Sequence, residues 1–212
     1  MGVVSLRERK RARTRQAVVD AAVDLFERNG YEGTTVADIA AAAEIGTRTF
    51  FSYFPSKEEV LFPEADVRVR AALTAIDNRS PSEGPAEVLV RALREVTAES
   101  SEITGPTARL RMRLMREVPA ILGRGLQIQL DGQRQIARHL QAAYPDSLDA
   151  VSAAALAGAL TGAVTGALLA LFEDPDRPDD PEELKMAVER ATEIALAPWT
   201  ASADGVREES RA

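Results

Sequence analysis

Residues 35–54 read TVADIAAAAEIGTRTFFSYF, and this stretch decides the fold. Thr35-Val36-Ala37-Asp38 has the form of a capping box, in which the hydroxyl accepts an early amide and the carboxylate returns to the cap amide. A helix therefore starts at Val36 and lasts to about Ala42. Ala43-Glu44-Ile45-Gly46 makes a turn, and a second short helix occupies 47–54, which is helix-turn-helix spacing. Val36, Ile39, Ala40, Ile45, Phe50 and Phe54 would pin the pair on a preceding helix, leaving Thr47, Arg48, Thr49 and Ser52 outward.

Those outward groups suit the major groove. Small hydroxyls permit close approach, and an arginine can bridge O6 and N7 of a guanine. Thr35, Tyr53 and Lys57 stand where hydroxyls, amides and a cation can hold phosphates, which sets register and not sequence. The same side chains would also suit a solvated face of a helical bundle.

The preceding helix is expected over 9–28, with Val18, Ala22, Leu25 and Phe26 on one face and Asn29-Gly30 as its stop. Before it, residues 1–16 carry Arg7, Arg9, Lys10, Arg11, Arg13 and Arg15 against Glu8 alone. That basic arm reads as a nucleic-acid contact or a solvated charge run. No apolar stretch follows it before Asp20, so a secretory signal is not expected.

The whole chain has 212 residues and net charge −7, with bases and acids balanced over residues 1–60, so the acidity lies beyond them. A hydrophobic share of 45% permits a core, and 5% aromatics with abundant Ala favour helices over strands. The expectation is all-α, with about nine helices. Without Cys there is no disulfide, thiolate metal site or cysteine nucleophile, and one His leaves a metal site to carboxylates. No metal or cofactor is expected, and His139 reads as a surface or interface residue. No GxSxG or P-loop occurs, and Gly123-Arg124-Gly125 leads to Ile128, so GxGxxG fails. An enzyme is not expected. An all-helical adaptor whose helix-turn-helix is structural, or an uncharacterised enzyme, are the rival readings.

Further helices are expected at 57–78, capped by Ser56 and kinked at Pro63, then at 86–102, 107–116, 119–143, 148–172 and 182–197. The loop 79–85 marks a boundary with a larger C-terminal region. Domains are expected at 1–56 and 57–200, with 201–212 a flexible tail. Residues 150–172 are uncharged and long enough to cross a bilayer, yet Asp146, Asp149, Glu173, Asp174 and Asp176 flank them, so a packing helix is the better reading. Gly158, Gly162 and Gly166, four apart, form a smooth stripe suited to close approach of another helix.

Thr34 to Ala40, then Ile45, then Thr49-Phe50-Phe51-Ser52-Tyr53-Phe54-Pro55-Ser56-Lys57-Glu58-Glu59-Val60-Leu61 resembles the N-terminal signature of TetR/AcrR transcriptional regulators, over roughly 10–62. The resemblance implies a cytoplasmic, homodimeric, ligand-released repressor that binds a near-palindromic duplex operator. It places base contacts at Thr47, Arg48, Thr49, Phe51 and Ser52, phosphate contacts at Thr35, Tyr53 and Lys57, and the dimer interface on the last two helices. Three departures matter: Glu44 stands where Gly is common, Gly46 where Ser usually caps, and Phe51 where Tyr is more frequent.

An effector pocket is expected between helices of 86–172, with Leu110, Met112, Leu114, Met115, Ile121 and Leu126 as lining candidates. The four arginines of 109–116, at spacings of two, two and three, spread around their helix. The segment 113–122 is similar to regulators of acyl-CoA-like molecules, so the effector is expected to be of that kind or another lipophilic compound. The segment kinked at Pro63 is the expected lever.

Overall fold

The computed structural model describes residues 5–63, 65–99, 106–173 and 180–209. The described residues form nine α-helices and one short 3-10 turn, with no strand. They fall into two units, each with its own core.

The first unit comprises Met1–Pro63 together with Arg113–Gly125. Helix α1 runs Leu6–Asn29 and starts three residues earlier than expected, because Ser5 and Glu8 form a reciprocal capping box. The basic stretch from Leu6 onward is thus helical, with Arg7, Arg9, Lys10, Arg11 and Arg13 exposed and Arg15 half-buried. Gly30, with φ 74, ends it. Helices α2 (Val36–Ala42) and α3 (Thr47–Tyr53) follow, with Val18, Ala22, Phe26, Ile39, Phe50 and Phe54 buried. The expected helix from 57 does not begin there. Glu58–Leu61 is a 3-10 turn that buries Val60 and Leu61 in this unit, and α4 is a separate helix, Ala65–Asp77. Lys57 to Pro63 therefore fall with the first unit and not with the second, where they were expected.

The second unit holds Glu64–Met112 and Leu126–Ala212. It contains α4, α5 (Pro85–Glu99), α8 (Ala150–Phe172), α9 (Pro181–Glu209) and parts of two further helices. Those two are α6 (Pro106–Glu117) and α7 (Pro119–Ala143), and each is one continuous helix with residues in both units. The core gathers Ile76, Leu89, Leu140, Leu156, Leu160 and Leu196, with α8 and α5 both packing on α9. Helix α8 buries Leu156, Leu160, Leu168 and Leu171.

The loop 79–85 joins α4 to α5 inside this unit and does not mark a domain boundary. Arg79 donates to the carbonyls of Ile76 and Ala143 and lies over the Tyr144 ring, while Tyr144 donates to Glu83 O. Arg91 holds Glu83 at 2.7 Å and Glu95 at 3.1 Å. Helix α9 runs on through Pro198 to Glu209, into the stretch expected to be a tail. Residues 210–212 lie outside the described residues.

Candidate nucleic-acid interface

The turn between α2 and α3 is closed by the backbone. Ile45 N–H reaches Ala40 O at 2.9 Å and Glu44 N–H reaches Ala41 O at 3.1 Å, the paired bonds of a Schellman ending. That motif demands a left-handed residue, and Glu44 supplies it at φ 55. The turn geometry is retained without glycine, at the cost of a strained side-chain-bearing residue.

Gly46 caps α3 without a side-chain bond; its carbonyl accepts from Thr49 and Phe50. Phe50 is fully buried and packs with Phe54. It turns the opposite side of this two-turn helix outward. Thr47, Arg48, Thr49, Phe51 and Ser52, the residues expected to face bases, are all exposed. Phe51 is 54% exposed, its ring edge-on to Phe50. Ser52 donates to Thr49 O at 2.6 Å, which leaves its lone pairs outward. Arg48 makes no hydrogen bond among the described residues.

The expected phosphate residues differ from one another. Tyr53 is half-buried, at the end of α3, with the Arg11 guanidinium over its ring. Thr35 is exposed, but its hydroxyl donates to Asp38 at 2.6 Å and accepts from Asp38 N–H. The hydroxyl and the Thr35 N–H, which donates to the same carboxylate at 2.9 Å, hold the Asp38 carboxyl below its ordinary range. Lys57 donates to Tyr31 O at 2.9 Å and Thr34 O at 3.0 Å, with its ammonium 3.8 Å from the Tyr31 ring centre. Two of its three donors are committed inside the unit.

Sequence reasoning missed this clamp. The Tyr31 phenol donates to Glu58, and burial together with that carboxylate pushes the phenol's pKa up. Burial alone would raise Glu58, yet hydrogen bonds from Ser56 and Tyr31 bring it below its usual value. Arg15 adds a second fastening, donating to Tyr53 O at 3.0 Å and Pro63 O at 2.6 Å, over the Phe54 ring. The spacing of Arg7, Arg11 and Arg15, four apart, was the available signal, since it puts them on one face of α1.

The expected pocket residues are divided between the two units. Leu110 and Met112 are buried in the second unit, whereas Leu114, Met115 and Ile121 belong to the first. There Met115 and Phe62 pack against Gly125, and Leu114 lines a cleft of about 480 Å³ beside Phe26, Tyr31 and an Arg113–Glu27 ion pair of 3.1 Å. Leu126 is 48% exposed and lines no core. Of the glycine stripe, Gly162 and Gly166 are exposed, but Gly158 sits beneath Gln133, whose Nε2 would be 2.7 Å from an added Cβ. Gly158 is thus occupied within the chain. His139 is at the surface, 3.1 Å from Asp77.

Residues 18–62 match the sequence profile described as bacterial regulatory proteins, tetR family. The HTH-type transcriptional regulator TcmR of Streptomyces glaucescens is 36% identical over 149 residues, 68% of this chain and 66% of TcmR. The match thus spans just under two thirds of that relative's length. Two solved structures share the fold. The fatty acid degradation regulator FadR of Bacillus halodurans has a TM-score of 0.55 at 16% identity, over 86% of this chain and 94% of that one. Thermus thermophilus FadR, a TetR-family repressor solved with lauroyl-CoA, has a TM-score of 0.54 at 21% identity, over 86% and 93%.

Proposed function

We propose that the chain is a member of the TetR family of bacterial regulatory proteins, a DNA-binding homodimeric repressor released by a small-molecule effector, a reading supported by the profile match over residues 18–62 and the similarity to TcmR. The observation that carries the reading is the fringe Thr47, Arg48, Thr49, Phe51 and Ser52, exposed on a short helix that is locked from behind by Phe50 and Phe54. Arg48 reads a guanine, and the Phe51 ring meets a thymine methyl. Tyr53 holds a phosphate, Lys57 adds its third donor, and Arg7 and Arg11 extend the basic face along α1; the donors of Thr35 are both taken by Asp38.

Apolar side chains on the outward faces of α8 and α9 support the homodimer. Val151 is 77% and Ile194 70% exposed, which is how an unpaired interface looks in one subunit. A two-fold dimer places two recognition helices about 34 Å apart, one turn of DNA, so the operator is a near-palindrome. The protein acts in the cytoplasm and has no catalytic role.

The effector is an acyl-CoA-like or other lipophilic compound, held in the second unit with Leu110 and Met112 in its lining; the lauroyl-CoA bound by the Thermus relative favours that class. Release follows if the effector prefers a state in which the recognition helices are wrongly spaced. Helices α6 and α7 carry the change, because their ends, fastened by Arg113–Glu27 and Arg124–Glu59, belong to the DNA-binding unit. The joint at Pro63, anchored through its carbonyl to Arg15, is the second route.

Binding-site selection from random duplex DNA tests the reading. It should enrich a near-palindrome with half-sites about one helical turn apart. Enrichment of nothing at low salt would favour the structural-adaptor alternative.

A further inference from the structure

We propose that α7 joins α8 and α9 in the dimer interface, with Leu126 and Leu130 of one protomer seated on Gly162 and Gly166 of the other. The proposal rests on the homodimer reading and deepens it. Leu126 and Leu130 are 48% and 50% exposed, an unusual place for two leucines one turn apart. Gly162 and Gly166 are exposed too, and a Cβ built on either meets nothing within 4 Å.

The two pairs share one surface. Gln129 faces Thr165 at 3.5 Å, and Gln133 faces Ala154 O and Gly158, so α7 and α8 run antiparallel with those residues on the seam. Each residue turns a helix by about 100°, so from that seam Leu126 and Leu130 stand at about 60° and 100° on α7. Gly162 and Gly166 stand at about 60° and 100° from Thr165 on α8. Between antiparallel helices, equal rotations lead to the same side. A ridge of two leucines therefore lies beside a furrow of two glycines, with Asp131 and Arg134, paired with each other, at its polar edge.

Such a face fits a second copy of itself. A two-fold axis parallel to α7 and α8 carries the partner's α7 over α8 without shift along the axis. Leu130 is level with the gap between Gly162 and Gly166, as the Gln129–Thr165 contact fixes, so each ridge meets the other furrow. An isologous contact needs this self-complementarity. The surface also continues the α8 face that exposes Val151.

Sedimentation equilibrium of the full chain tests it with Leu126→Gln/Leu130→Gln and, separately, Ile194→Glu. Both leucines are half-exposed, so the double variant should keep the wild-type circular dichroism while its dimer dissociation constant rises at least tenfold. A double variant that dimerises like wild type, while Ile194→Glu is monomeric, overturns the α7 contact and leaves the dimer standing. A wild-type chain that stays monomeric removes both. Because the chain has no cysteine, a mixture of Leu130→Cys and Gly166→Cys single variants gives a second readout even if the glutamines impair folding. A mixed disulfide dimer, in excess over either variant alone, is the expected product, and its absence overturns the proposal.

Discussion

Glu44 occupies the left-handed position that closes the α2–α3 turn, where any side chain costs energy and glycine does not. Replacing it tests that strain. Glu44→Gly should raise stability by about 1 kcal/mol, read by thermal or denaturant unfolding. Gly46→Ser, placed where nothing lies within 4 Å, should add a few tenths of a kcal/mol through the missing cap. A loss of stability in either variant would contradict the local geometry. The sequence showed both positions as departures from a pattern, but only the backbone torsion shows that the turn kept its shape. Lys57 carries the opposite lesson. Its position in the motif suggests a phosphate ligand, whereas its two carbonyl acceptors lie 23 and 26 residues away in the chain, beyond the reach of any local pattern. Lys57→Ala should therefore cost about 2 kcal/mol of unfolding free energy, in addition to any loss of DNA affinity. Tyr53→Phe, which removes a hydroxyl and no charge, should weaken specific and random DNA alike in a direct binding titration.

At the scale of elements, the helices with strong punctuation were legible and those with tertiary causes were not. Thr35 to Asp38 announced α2, and Asn29-Gly30 announced the end of α1. The start of α1 was also written, as Ser5-Leu6-Arg7-Glu8, but the run of arginines beside it hides a capping box. Pro63 suggested a kink; the chain instead makes a 3-10 turn, because Val60 and Leu61 must enter the core of the first unit. No sequence period could show that the ends of α6 and α7 belong there as well. The α4–α5 corner carries a pH prediction. The Arg91 guanidinium, hydrogen-bonded to Glu83, outweighs burial, and Ser80 N–H adds to it, so the Glu83 carboxyl is held below its ordinary value of 4.5. Its contribution to stability is complete above the unfolded pKa and is lost as pH falls through the lower, folded one. Unfolding followed from pH 6 to pH 3 should show a smaller acid loss for Glu83→Gln than for wild type. Equal losses would show that the pair contributes nothing.

For the whole molecule, an acidic chain binds an anionic polymer only by segregating charge, and among the exposed bases of α1 Arg11 lies over the Tyr53 ring at the end of α3. The exposure of Thr47, Arg48, Thr49 and Ser52 was readable in advance because a buried Phe50 fixes the phase of so short a helix. The effector site was not, since the candidate leucines and methionines are divided between two cores. Coupling between the parts has its own test. Arg113→Gln removes the ion pair to Glu27, so it should leave effector affinity measurable while reducing the effector's ability to release DNA. An unchanged release curve would place the linkage elsewhere. The most direct test of the account is a thermodynamic cycle on the selected operator, combining Arg48→Ala with each base-pair substitution in a half-site and measuring equilibrium affinity at fixed salt. Discrimination of about 1–3 kcal/mol should disappear at one G·C pair per half-site and persist at the others. An equal loss of affinity for every sequence, with the pattern of preference intact, would contradict it.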